Sequence, residues 1–120
     1  MSERISDDLL DRPAIGRLCD QIGAENVREL GQMFLDDLRP VLAVLDTAAA
    51  AEDRATLSAT AHRVKSSALA LGAAALGSLF HELEQQGPSE DWQTLIGLVE
   101  RSHTVAAQTA SALTADLAGR

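Results

Sequence analysis

The chain has 120 residues, of which 46% are hydrophobic, but its only aromatic residues are two Phe and one Trp. This length suits one domain with one core, and strands draw on β-branched and aromatic residues, so we expect a single all-helical domain over 1–120. The formal net charge of −8 argues against a nucleic-acid or anionic-membrane partner. The single Cys19 excludes an internal disulfide and a multi-thiolate metal site.

The N-terminal stretch and the lengths of the apolar runs bear on targeting and membrane insertion. No apolar run approaches the ~20 residues that span a bilayer. The polar, acidic stretch MSERISDD is unlike a secretory signal, so we expect a cytoplasmic protein with no membrane partner. Residues 1–12 are expected to form a flexible N-terminal segment.

Two helices are predicted in the first half of the chain. A short one begins at Pro13 and ends before Gly23, residues that suit a first turn and a C-terminal stop. A longer one covers about 24–51, with apolar residues in steps of three and four. Pro40 lies inside this second helix and should kink it.

Three more helices follow. Asp53 is a plausible N-cap for the third, which runs from Arg54 to about 71. The fourth covers 73–86, and Ser89 is a plausible cap for the last. The last helix is predicted to bury Trp92, Ile96, Val99, His103, Ala106, Leu113 and Leu117. Long amphipathic helices with short connections predict an antiparallel up-down four-helix bundle with a short additional N-terminal helix.

The third helix carries a histidine on its outer side. An unbroken apolar stripe marks its core face: Leu57, Ala61, Val64, Ala68 and Leu71. At about 100° per residue, His62 points roughly 140° away from the centre of this stripe, and Lys65 lies at the edge of the same side. The other residues of that side are small or apolar, whereas a solvated face normally carries long charged side chains. This leaves room for a protein partner, although spacing alone favours an ordinary surface histidine.

The run around this histidine has a family likeness. Residues 61–73, AHRVKSSALALGA, resemble the signature of the histidine-containing phosphotransfer (HPt) family, approximately A-H-x-[LV]-K-G-S-x-x-x-L-G-A. The likeness continues in the fourth helix to Glu84 and upstream to Phe34 and Pro40, so it covers nearly the whole chain. Ser66 stands where the family usually has glycine. No basic residue follows Glu84 closely, where the family often has one.

The resemblance implies a phosphoryl carrier in a multi-step two-component phosphorelay. His62 Nε2 would take the phosphoryl group from the aspartate of one receiver domain and pass it to another. Glu84 would accept a hydrogen bond from His62 Nδ1–H, and Lys65 would offset the phosphoryl charge. The implied partners are receiver domains of hybrid histidine kinases and response regulators. Mg²⁺ is expected on the receiver only, so this chain should need no cofactor or metal and have no ATP site of its own.

The receiver is expected to dock around the histidine. The candidate docking residues lie on the third helix and on the short first helix: Ser58, Arg63, Ser66, Leu69, Ile15 and Leu18.

Two other classes of function are compatible with the sequence. One is a module that docks a receiver without accepting phosphate. The other is a histidine-kinase dimerisation fragment, which would need a second copy; a chain with four long helices of its own is expected to be a monomer. The spacing of His81 and Glu84 is half of a helical metal site, but the second half is missing. His103 falls on an apolar stripe, which favours a core or rim position.

Overall fold

The computed structural model describes residues 9–120, which form five major α-helices and no β-strand. The helices are α1 (Arg12–Ile22), α2 (Ala24–Ala50), α3 (Arg54–Ala70), α4 (Ala74–Gln86) and α5 (Trp92–Ala118). Helix α2 packs against α3 and α5, and α4 packs against the same two helices, so these four close a bundle; α1 packs on α2. This confirms the all-helical four-helix bundle with a short additional helix. None of the described helices is long and apolar enough to cross a membrane.

The predicted apolar stripes of three helices form the core. All the inward residues expected for α3 are buried, and the stripes of α2 and α4 are buried with them. In α5 the prediction was partly wrong: Ile96 is 42% exposed and the side chain of His103 is 45% exposed, whereas Leu95 and Leu98 are buried. The reason is that the inward face of α5 includes polar residues, the fully buried Ser102 and Thr109, which interrupt the apolar pattern.

Aspartate side chains cap the starts of α1, α3 and α5. Asp53 Oδ1 accepts a hydrogen bond from the Thr56 amide at 3.1 Å, which confirms it as the N-cap of α3. Helix α5 begins later than expected, because Asp91 rather than Ser89 is its cap. Helix α2 continues through Pro40 to Ala50.

The chain before α1 is packed on the bundle from residue 9 onward. Leu9 and Leu10 are buried, and the Asp11 amide donates to the Gly72 carbonyl at 2.8 Å. The flexible segment expected over 1–12 therefore does not extend over 9–12, because two leucines there join the core; its remainder, 1–8, lies outside the described residues. Gly72 has φ +76°, a conformation that favours glycine, and a Cβ there would lie 2.6 Å from Ile15 Cγ1. The turn after α3 therefore needs glycine for α1 to pack against it.

Helices α3 and α4 approach each other closely. A Cβ at Gly77 would lie 2.5 Å from Leu69 Cδ2, so the absence of a side chain at this position lets the two helices come together. Side chains that extend from α4 toward α3 can consequently reach the outer face of α3. The close packing of α3 and α4 therefore decides which side chains of α4 lie beside His62.

Candidate functional site

The site is built around the middle of α3. His62 has a side chain that is 66% exposed, and it lies on the outer face of the helix, as its position relative to the buried stripe predicts. It borders a shallow depression of about 630 Å³ lined by Arg54, Ala55, Ser58, Ala59, His62, Glu84 and Pro88. The small side chains next to the imidazole leave its outer nitrogen accessible.

Glu84 extends from α4 and joins two residues of α3. Its Oε2 lies 2.6 Å from His62 Nδ1, and its Oε1 accepts a hydrogen bond from Lys65 Nζ at 2.6 Å. His62 and Lys65 are three residues apart, so they lie on neighbouring positions of one helical face and one carboxylate can bridge them. The structure thus brings together the three residues that were predicted to carry the chemistry.

The charges of this cluster determine the tautomer of His62. The hydrogen bond from Lys65, followed by that with His62, lowers the pKa of Glu84 below its ordinary value, so Glu84 is an ionised carboxylate at neutral pH. An ionised carboxylate has no proton to donate, so in the Nδ1 contact the imidazole must be the donor. In the neutral ring the proton then resides on Nδ1, and the lone pair of Nε2 is free.

A second set of contacts lies between the start of α3 and the end of α4. Ser58 Oγ donates to the backbone carbonyl of Glu84 at 2.9 Å. Arg54 donates to the carbonyls of Gly87 and Glu90 at 2.9 Å and 2.6 Å, and its guanidinium stacks 4.7 Å from the centre of the Trp92 ring. Sequence reasoning missed these roles, since it placed Ser58 on the docking surface and named Arg54 only as the start of the third helix.

The other candidate docking residues differ in how exposed they are. Arg63 and Ser66 are exposed, Leu69 is 50% exposed, and Leu18 is half-buried. Ile15 is only 1% exposed, so its prediction as a docking residue was wrong: it is a core residue that packs on Gly72. The amphipathic pattern of a short helix does not show which of its apolar residues another helix covers.

An apolar groove that sequence reasoning missed lies on the other side of α3. It has a volume of about 560 Å³ between α1, α2 and α3, and Leu18 and Arg63 are among its lining residues. Its rim includes Leu30, Met33 and Val44, which are 42%, 61% and 39% exposed. The available signal was that these apolar residues of α2 do not belong to its buried stripe.

The remaining histidines have separate surroundings. His81 is exposed, and both carboxylate oxygens of Glu84 are engaged by His62 and Lys65. Within residues 9–120, no three His, Cys, Asp or Glu side chains come together in a way that could hold a metal ion. His103 occupies a rim position, where its Nε2 lies 2.9 Å from Asp46 Oδ1.

Comparisons with known proteins agree with this geometry. A sequence model of the Hpt domain matches residues 29–117. Phosphorelay protein LuxU of Vibrio vulnificus, in strains YJ016 and CMCP6, is 32% identical over 100 residues, which cover 80% of this chain and 87% of the relative. The crystal structure of histidine-containing phosphotransfer protein B from Pseudomonas aeruginosa PAO1 has the same fold, with a TM-score of 0.84 and 24% identity over 93% of this chain and 96% of that one.

The chain therefore belongs to the Hpt domain family. Its function is histidine phosphotransfer in a phosphorelay, as a carrier of the phosphoryl group.

Proposed function

We propose that this protein accepts a phosphoryl group on His62 from the aspartate of one receiver domain and passes it to the aspartate of another. The observation that carries this assignment is the 2.6 Å contact between His62 Nδ1 and Glu84 on an imidazole that is otherwise exposed. The contact leaves Nε2 as the free nucleophile, pointing away from the bundle. Neither His81 nor His103 combines these two properties.

The proposed transfer is a displacement at phosphorus. The Nε2 lone pair of His62 attacks the aspartyl phosphate, the N–P bond forms, and the P–O bond to the aspartate breaks, so that the receiver recovers its carboxylate. The ring becomes positively charged as Nε2 bonds phosphorus, and the Glu84 carboxylate at Nδ1 balances that charge. Attack by the next receiver's aspartate reverses the step, so one site serves donor and acceptor.

Lys65 has two proposed effects in this scheme. Its hydrogen bond keeps Glu84 ionised, and an ammonium has three N–H donors, of which this bond uses one. The remaining donors are available to phosphoryl oxygens, whose charge must be offset because phosphoryl transfer depends mainly on positioning and electrostatics. No basic residue follows Glu84 closely in the sequence, so this scheme assigns the offsetting charge to Lys65.

The partners proposed are receiver domains of hybrid histidine kinases and response regulators. Arg63, next to His62 in the chain, also lines the apolar groove between α1, α2 and α3, and Ser66 and Leu69 are exposed about one and two turns after His62. A surface of this composition suits a protein face rather than nucleic acid or a membrane. We further propose a cytoplasmic monomer without an ATP site, cofactor or metal of its own, with Mg²⁺ supplied on the receiver.

The test is transfer from a phosphorylated receiver domain to the wild-type protein and to His62→Gln. We expect label on the wild type that acid removes and base does not, and none on His62→Gln. The matched controls His81→Gln and His103→Gln should be labelled like the wild type. A wild-type protein that binds receivers but takes up no label would instead be a phosphate-independent docking module. Label that persists in His62→Gln would refute the residue assignment.

A further inference from the structure

We infer that Ser58 is a positioning residue for phosphotransfer, which acts on His62 through the backbone of Glu84. This inference rests on the proposed function of His62 and names a residue that neither the family likeness nor the chemistry of the imidazole would single out. Ser58 contacts neither the phosphoryl group nor the His62 nitrogen that receives it.

The carbonyl of Glu84 lacks the donor that a helical carbonyl normally has. In an α-helix, each carbonyl accepts a hydrogen bond from the amide four residues later. For Glu84 that later residue is Pro88, which has no N–H to donate. The hydroxyl of Ser58 supplies the donor instead, at 2.9 Å. The serine of one helix thus completes the hydrogen bonding of the other.

The bond from Ser58 to Glu84 lies at the end of α4, one turn before His62 on α3. Glu84 lies in the last turn of α4, which ends at Gln86, and helix ends are where backbone hydrogen bonds are fewest. Ser58 precedes His62 by one turn of α3, so the same helix holds the imidazole and anchors the residue that orients it. The loop after α4 also packs closely against Ser58, since a Cβ at Gly87 would lie 3.3 Å from Ser58 Cβ.

The bond from Ser58 affects His62 through the side chain of Glu84. The contact of Glu84 with Nδ1 keeps the proton on that nitrogen and leaves Nε2 free, so any movement of the Glu84 backbone weakens this preference. Without the Ser58 hydroxyl, the carbonyl of Glu84 has to find water, and the last turn of α4 is no longer tied to α3. The imidazole then spends less time in the tautomer that can attack phosphorus.

The experiment compares Ser58→Ala with Ser78→Ala, a matched control at an exposed position of α4. In the unphosphorylated protein, nitrogen-15 NMR of His62 should show a smaller population of the Nδ1–H tautomer in Ser58→Ala only. The rate of transfer from a saturating phosphorylated receiver should fall with that population, by up to about twofold, because losing a preference of about fivefold lowers the reactive fraction from about five-sixths to about one-half. The receiver concentration for half-maximal rate should not change.

A second substitution restores the missing donor. Pro88→Ala provides an amide four residues after Glu84, so it should recover most of the tautomer population and the rate when combined with Ser58→Ala. The inference is overturned if Ser58→Ala keeps the wild-type tautomer population, if its effect is confined to the half-saturating receiver concentration, or if Pro88→Ala gives no recovery. A wild-type protein that takes up no label would refute the proposed function itself, whereas the NMR comparison tests Ser58 independently.

Discussion

Replacing Glu84 with glutamine tests the central geometry, because the amide has nearly the same shape but only one acceptor oxygen. The carboxylate uses one oxygen for Lys65 Nζ and the other for His62 Nδ1, both at 2.6 Å. An ammonium can only donate, so in Glu84→Gln the amide oxygen should turn toward Lys65. The amide nitrogen then faces His62 and donates to Nδ1. This favours the tautomer with the proton on Nε2, which cannot attack phosphorus.

The size of the effect follows from the two hydrogen bonds. The wild type favours the reactive tautomer by one bond to Nδ1–H, and the variant favours the other tautomer by one bond to the Nδ1 lone pair. One hydrogen bond corresponds to a factor of about five, so the tautomer ratio should change about twenty-fivefold, from about 5:1 to about 1:5. The rate of transfer follows the reactive population, which falls from about five-sixths to about one-sixth, so we expect a fall of roughly fivefold.

The assay is the initial rate of phosphoryl transfer from a phosphorylated receiver at saturating concentration, measured at one pH for all variants. The matched control is Glu82→Gln, which removes the same charge from the same helix two residues away. A receiver titration separates weaker docking from slower transfer. If Glu84→Gln transfers as fast as Glu82→Gln, then Glu84 does not orient His62 and the argument from the tautomer is wrong.

Three further predictions concern stability, docking and pH. Leu45→Ala removes a fully buried side chain and should cost about 2–5 kcal/mol in urea unfolding, whereas Val44→Ala, 39% exposed, should cost at most about 0.5 kcal/mol. Met33→Asp at the groove rim should weaken receiver binding about tenfold by titration calorimetry, and Ile96→Asp, exposed on α5, should not. Lys65, and then His62, lower the pKa of Glu84 in the folded protein. Ionised Glu84 therefore stabilises the fold at pH values above the ordinary pKa of glutamate, and this stabilisation is lost as the pH falls through the lowered pKa. The urea midpoints of wild type and Glu84→Gln should therefore differ near neutral pH and converge below about pH 4; a constant difference would contradict this linkage.

Much of the architecture could be predicted from local pattern. Periodic apolar residues placed the core faces of α2, α3 and α4, and Asp53 marked the start of α3. The same periodicity placed His62 on the outer side of its helix, because a residue's angle to an apolar stripe depends only on spacing along the chain. The family motif then pointed to Lys65 and Glu84 as its companions.

The errors arose where a neighbouring element decides which residues are covered. Ile15 and Leu18 belong to one short apolar helix, yet the turn at Gly72 buries the first and leaves the second beside the groove. In α5, the polar Ser102 faces the core, so a pattern of hydrophobic residues does not identify the inward face of this helix. Local periodicity indicates which side of a helix is apolar, but it does not indicate which other element packs against that side.

The amino-acid sequence by itself determined the helices, the exposure of His62 and the residue types of the site. Only the tertiary structure decided that Glu84 bridges His62 and Lys65, and that the hydroxyl of Ser58 replaces the amide that Pro88 lacks. These contacts join α3 to α4, and the two residues of the bond from Ser58 to Glu84 are 26 positions apart in the sequence. Spacing along one helix cannot predict them, because the distance and offset between two helices depend on how their side chains pack together.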